Sequence, residues 1–299
     1  MGAMKYVITV MALATSSVLL AQTPPRPAAP AGLDTAAIDK AIGRPGQAMP
    51  GDVYRVGFPR TDLKVTVGTV SVLPGLALGS WAAFKAAGSG AVVHGDLVLL
   101  DTEMNPVISA LQQSDFEITA VHNHLLNETP SIMYLHYWGQ GNPVALAQAV
   151  REALGHSATP IAPPTAPATP PPTVPVDAIE QAIGMKGTLA NGVLSFAQPR
   201  PETIQMMGVT LPPSMGMATA INFQSTGNGR VAATGDFVMI ADEVNKVARA
   251  LRSSDIAITA LHNHMLHGTP ELYFMHFWAE GDPAPIASGL KTALAQLKK

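Results

Sequence analysis

The sequence predicts an α+β protein of two tandem repeats, each a mostly antiparallel sheet with helices packed on it, the two related by a pseudo-twofold. Three observations predict this. Gly95 to Pro143 aligns without a gap on Gly235 to Pro283, every position shifted by 140, and one large unit duplicated once suggests a symmetric pair, not a solenoid array. Within each copy, β-type and helix-type runs follow the order strand, strand, helix, strand, strand, helix. Between the copies, residues 155–176 are rich in Pro, Ala and Thr, a composition that favours extended, solvated chain.

In chain order, residues 1–21 place Lys5 before the apolar run YVITVMALATSSVLLA, the organisation of a cleaved export signal. The run ends near Ala21 and contains Thr15, Ser16 and Ser17, which disfavours a retained membrane anchor. Residues 22–33 form a Pro/Ala-rich linker, residues 34–154 the first repeat domain, 155–176 the second linker and 177–299 the second repeat domain. Ile38 to Gly43 falls on Ile179 to Gly184. DVYRVGFPR, KVTVGTVSV and GSWAAFK read as strands, and Gly95-Asp96 and Gly235-Asp236 as turns entering the next one. Met104, Val107, Ile108 and Leu111 then recur at helical spacing, as do Val244, Val247, Ala248 and Leu251. FEITAVHNH and IAITALHNH are β-branched strands, and SIMYLHYW and ELYFMHFW aromatic ones. A last helix carries Leu146, Val150 and Leu154 in one copy and Ile286, Leu290 and Leu294 in the other.

Composition narrows the function. A chain of 299 residues with 47% hydrophobic and 13% charged residues can bury two cores. A net charge of −3 without any cluster of Lys and Arg argues against nucleic acid as a partner. There is no Cys, hence no disulfide, thiolate ligand or lipidated Cys. The expectation is a protein exported to the periplasm or beyond, not lipid-anchored, whose repeats pack on each other. Any transition metal would be held by His, carboxylate, Met, backbone or water.

Six of the nine histidines form two triplets at identical offsets: His122, His124 and His136, and His262, His264 and His276. Residues i and i+2 of a strand share a face, so His122 and His124 point the same way. Direct pairing of residues 122 and 136 in a hairpin would put His136 beside His122, with Cβ atoms about 5 Å apart, and Tyr134 and Trp138 on the same face. A one-residue slip would turn His136 away. Glu103 and Glu243 open helices at the edge where a right-handed β-α-β crossover ends, so each could complete a three-His, one-Glu site in its own repeat. The helix dipole alone would also select Glu there. His267 has Asn127 as its counterpart and drops out. Asn123 and Asn263 fit loop-fixing roles, and Arg60 with Asp62, like Arg200 with Glu202, reads as a surface or interface ion pair.

FPRTDLKVTV, GSWAAFK, GDLVLLDTEMNPV and TAVHNHLL, with GDFVMIADEVNKV, TALHNHML and MHFW in the second copy, resemble the LppY/LpqO-type family of exported bacterial proteins, a domain of unknown function. The resemblance implies export and domain unity, and supplies no activity. It spans about Asp34 to Leu154 and Asp177 to Leu297.

The histidines therefore point to a divalent transition metal in each repeat, zinc foremost, with Mn, Fe, Ni and Cu also compatible. An open coordination position would make the protein a metal-dependent hydrolase. The alternative is a non-enzymatic cell-envelope scaffold or small-molecule binder with a structural His/aromatic cluster.

Overall fold

The computed structural model describes residues 30–163 and 173–298 together with Met1. The expected export signal apart from Met1, and parts of both linkers, lie outside them. The first copy runs α1 (Thr35–Ile42), β1 (Gln47–Met49), β2 (Val53–Pro59), β3 (Thr66–Val67), β4 (Val70–Ser71), α2 (Pro74–Ala77), β5 (Gly79–Ala87), β6 (Gly90–Leu100), α3 (Asp101–Gln113), β7 (Glu117–His122), β8 (Glu128–Thr129), β9 (Ile132–Gly141) and α4 (Pro143–Leu154). The second runs α5 (Val176–Ile183), β10 (Thr188–Ala190), β11 (Val193–Pro199), β12 (Ile204–Met206), β13 (Val209–Leu211), a 3-10 turn (Pro213–Met215), β14 (Ala218–Gly227), β15 (Arg230–Met239), α6 (Ala241–Arg252), β16 (Ala257–His262), β17 (Gly268–Thr269), β18 (Tyr273–Gly281) and α7 (Pro283–Leu294). None of the described helices is long and apolar enough to cross a membrane.

Each copy builds a six-stranded antiparallel sheet, β1-β2-β5-β6-β9-β7 and β10-β11-β14-β15-β18-β16, apart from the parallel sense shared by β6 and β7 across β9. The β6-α3-β7 crossover is thus split by the strand that follows it. Ile38 and Ile42 of α1, Val107 and Leu111 of α3, and Leu146, Val150 and Leu154 of α4 cover one sheet face, against Leu97, Leu99, Leu135 and Tyr137. The second copy repeats that core from Ile179 to Leu297. Period-two alternation turns Tyr134, His136 and Trp138 to the opposite face, and these inner faces of the two sheets meet.

Short flaps complete the interface. Ile204, Met206, Leu211, Met215 and Met217 of the second copy pack with Val53, Trp81, Ala83 and Val92 of the first. In return Leu76 of α2 packs among residues that include Val193. Gln224 fixes that exchange: its carbonyl accepts from Leu73 N at 2.8 Å and its amide donates to Ser71 O at 2.8 Å.

Gly95-Asp96 and Gly235-Asp236 lie within long strands, not at turns leading into them. The glycines are there for space: a Cβ on Gly95 would collide with the Tyr137 hydroxyl and the Trp81 carbonyl, and one on Gly235 with the Ala220 carbonyl. Backbone cannot yield as a flexible side chain can, so Gly95→Ala is expected to destabilise the protein by about 1–3 kcal/mol, as overpacking does. Urea unfolding measures it, and an unchanged midpoint would contradict the packing described.

Candidate metal centre

The hairpin register differs by two residues from the direct 122–136 pairing expected. His122 pairs with Tyr134, and His136 with Ala120, after a one-residue irregularity of the ladder between Ile118 and Ala120. A shift of two preserves the face, so His136 still stands with His122, ring centroids 5.1 Å apart. His124, just beyond the strand, stacks on Tyr134. Trp138 keeps the histidine face and lies near His94.

The expectation of a separate site in each repeat is corrected by the packing. The two triplets meet across the interface as one cluster. His122 stacks on His262 at 3.6 Å between centroids, with His124 on His276 at 3.7 Å and His136 on His264 at 3.8 Å. The first pair joins equivalent residues, and the other two exchange under the pseudo-twofold. Nitrogens of His122, His262, His264 and His276 all lie within 4.8 Å of one another, a set that could hold a metal ion. It draws one residue from one copy and three from the other.

The chemistry of the donors fits a cation. Nδ1 of His122 and of His262 faces the carbonyl of the following Asn at 3.3 Å, and Nδ1 of His276 faces Gly235 O at 2.9 Å. A carbonyl only accepts, so Nδ1 carries the proton and Nε2 presents a bare lone pair, the usual arrangement behind a metal-bound imidazole. Nε2 is buried without a hydrogen-bond partner in all six histidines. Buried polar atoms are ordinarily paired. Those of His122, His262, His264 and His276 belong to the set that comes together, and a cation fits such donors.

Burial also sets the charges. Desolvation lowers His122 to about 3 and His262 to about 4, and His124, His136, His264 and His276 well below the ordinary imidazole value, with further lowering for most from neighbouring histidines. All six are neutral at neutral pH, the form that ligates.

Two carboxylates join the cluster that the sequence reading placed in turns. Asp96 pairs with His136 and Asp236 with His276 in the ladders. Asp96 Oδ2 lies 4.0 Å from His124 Nε2 and 3.9 Å from His136 Nε2. Asp236 Oδ2 lies 3.7 Å from His264 Nε2. These separations are too long for hydrogen bonds. Burial raises Asp96 to about 8 and Asp236 well above the ordinary range, a condition that a cation between carboxylate and imidazole would relieve. The signal was present in the sequence: an Asp at the same offset from the HNH strand in both copies, inside otherwise apolar runs.

Glu103 and Glu243 hold a different position from the fourth-ligand one expected. Glu103 receives Arg60 Nη1 at 2.7 Å and Nη2 at 3.1 Å, along with the N–H groups of Leu100 and Ala158. Glu243 receives Arg200 at 2.7 and 3.3 Å, Ile240 N and Lys298 N. These carboxylates are already fully engaged. Arg60 is 0% exposed and also binds Asp62 and the Val98 carbonyl. The Arg60–Asp62 pair, read from sequence as a surface or interface contact, is thus one side of a buried brace joining the start of the flap, β6, α3 and the chain beyond α4.

A cavity of about 690 Å³ opens beside the cluster, lined by His124, His136, His264, His276, Asp96 and Asp236 among others.

A family model matches residues 36–156 and again residues 177–296. The chain belongs to the family described as Domain of Unknown Function (DUF1259). It carries two copies of that domain in tandem, and the histidine cluster is made where they face. The comparison with curated proteins found no match. Similar solved structures include a trimeric bacterial microcompartment shell protein, PduB, at 11% identity and TM-score 0.21, covering 82% of this chain and 87% of that one. EtuB from Clostridium kluyveri matches at 11% identity and TM-score 0.20, covering 83% and 87%. Overlaps this loose carry no argument about this chain.

Proposed function

We propose that this is an exported protein that binds a divalent transition metal between its two repeats, with zinc the foremost ion and Mn, Fe, Ni and Cu compatible with the same donors. The observation that carries the reading is the convergence of four neutral imidazoles, His122, His262, His264 and His276, whose buried Nε2 atoms have no protein partner. His122, His262, His264 and His276 are the ligand set, with Asp96 and Asp236 as neighbouring carboxylates. The charged N-terminal Lys5, the apolar run behind it and the likeness to LppY/LpqO-type proteins support export.

The adjoining cavity favours a metal-dependent hydrolase over a closed structural site, because a catalytic ion keeps a coordination position open to substrate. A bound ion would supply Lewis acidity and a water of lowered pKa. The protein contributes neutral ligands oriented from behind, two carboxylates able to hold a proton, and walls that limit water.

Elemental analysis of the purified protein after metal-replete dialysis tests the binding. Stoichiometric metal in the parent, lost in the His122→Ala, His262→Ala double variant, is expected. Substoichiometric metal in both would sink the proposal. Metal retained without hydrolysis of ester, amide and phosphoester panels would return the protein to the ligand-binding class.

A further inference from the structure

The cavity beside the histidines is asymmetric, although the fold around it is duplicated. Its first-copy wall carries Arg55 on β2 and Trp81 on β5. The ladders give their counterparts: Trp81 and Ala220 sit opposite Asp96 and Asp236, and Arg55 and Ser195 one strand further out. The second copy therefore supplies small side chains where the first supplies a cation and an indole. Among the described lining residues Arg55 is the single Lys or Arg.

Arg55 is held in place and left unneutralised. Its guanidinium lies 4.2 Å over the Trp81 ring, and Nη1 donates to Ser214 O at 3.3 Å. Ser214 Oγ in turn donates to Pro50 O at 2.7 Å, and Gly216, with φ of 84°, backs the Trp81 ring where a Cβ would stand 3.2 Å from it. No carboxylate of the described residues lies within ion-pair distance of Arg55. Desolvation lowers its pKa to about 10, which nearby Asp96 only partly opposes. Away from the histidines, Asp96 and Asp236, the wall is largely apolar, with Leu76, Ala77 and Pro213. A volume of about 690 Å³ falls within the range of small-molecule sites, where a few fixed polar groups orient a mostly apolar ligand.

We propose that this cavity binds a small organic carboxylate, its anionic group on the Trp81-backed Arg55 guanidinium and its apolar body along the Leu76 wall. A planar guanidinium presents parallel N–H donors that match a carboxylate. One fixed guanidinium beside the apolar Leu76 wall matches one charge on an apolar body, with Asp96, Asp236 and the four histidines lining the rest of the cavity. The site adjoins the proposed metal centre and does not depend on it.

Calorimetric titration of the full chain with benzoate and with its neutral analogue benzamide tests the inference. Benzoate is expected to bind, benzamide to bind at least about tenfold more weakly, and Arg55→Gln to lose a similar factor for benzoate alone while keeping its metal content. Equal binding of the two probes by the parent protein would overturn the inference, even if Arg55→Gln failed to fold. So would absence of benzoate binding at millimolar concentration, unchanged benzoate affinity in the variant, or inorganic phosphate binding more tightly than benzoate. Charge-dependent benzoate binding by a protein that takes up no metal would sink the metal reading and leave this one standing.

Discussion

Glu103→Ala is expected to lower stability by about 3–5 kcal/mol, the usual cost of breaking a buried ion pair, because it leaves the fully buried Arg60 with the partly exposed Asp62 as its one carboxylate partner. Replacement by Ala also removes the acceptor for Leu100 N and Ala158 N. For a domain of this size the loss corresponds to a fall in melting temperature of more than about 10 °C. The folded variant should retain the proposed metal binding. If Glu103 were instead a ligand, metal would be lost with little change in melting temperature. Acid gives a second view of the same pair. Burial opposes ionisation of Glu103, but the bonds from Arg60, Ala158 N and Leu100 N outweigh it and hold the group below the ordinary value of 4.5. A folded pKa below the unfolded one contributes stability in full above about pH 4.5, and that contribution disappears as pH falls through the lower folded value. The parent should therefore lose stability on acidification over that window, and Glu103→Ala should lose less.

His262→Ala is expected to remove metal binding from the whole protein, not from half of it. Loss of a hydrogen-bond partner behind a ligand alone weakens metal binding by about 10–100-fold, so loss of the ligand should exceed about 100-fold. Competitive titration against a chromophoric chelator measures this. Retention of half the metal at parental affinity would restore the picture of one independent site per repeat. His267→Ala should leave binding unchanged, since His267 has Asn127 as its counterpart and takes no part in the cluster.

Much of this was legible in the sequence, because duplication displays the same signal twice. The triplet offsets, the strand-helix-strand order and the shared face of His122 and His124 follow from spacing and period two. The face of His136 was also legible. The one-residue irregularity near Thr119 leaves the ladder two residues from the direct 122–136 pairing, and an even offset preserves the face. Three features needed the fold. Arg60 and Glu103 are 43 residues apart, and an acidic residue at a helix start has a sufficient local explanation that hides its partner. Asp96 follows a glycine, which reads as a turn until the close approach of Tyr137 accounts for it. The meeting of the two triplets depends on which sheet faces pack together, a choice set by the exchanged flaps around Leu76 and Met206. Neither repeat reports that choice in its own periodicity.

The most direct test of the shared centre is X-ray absorption at the edge of the bound metal in the zinc-loaded protein. The proposed site predicts a first shell of nitrogen and oxygen with multiple-scattering features of several imidazoles, from one class of site containing histidines of both repeats, and loss of that spectrum in either His122→Ala or His262→Ala. A shell without imidazole scattering, or an unaltered spectrum from half the metal in either variant, would contradict it.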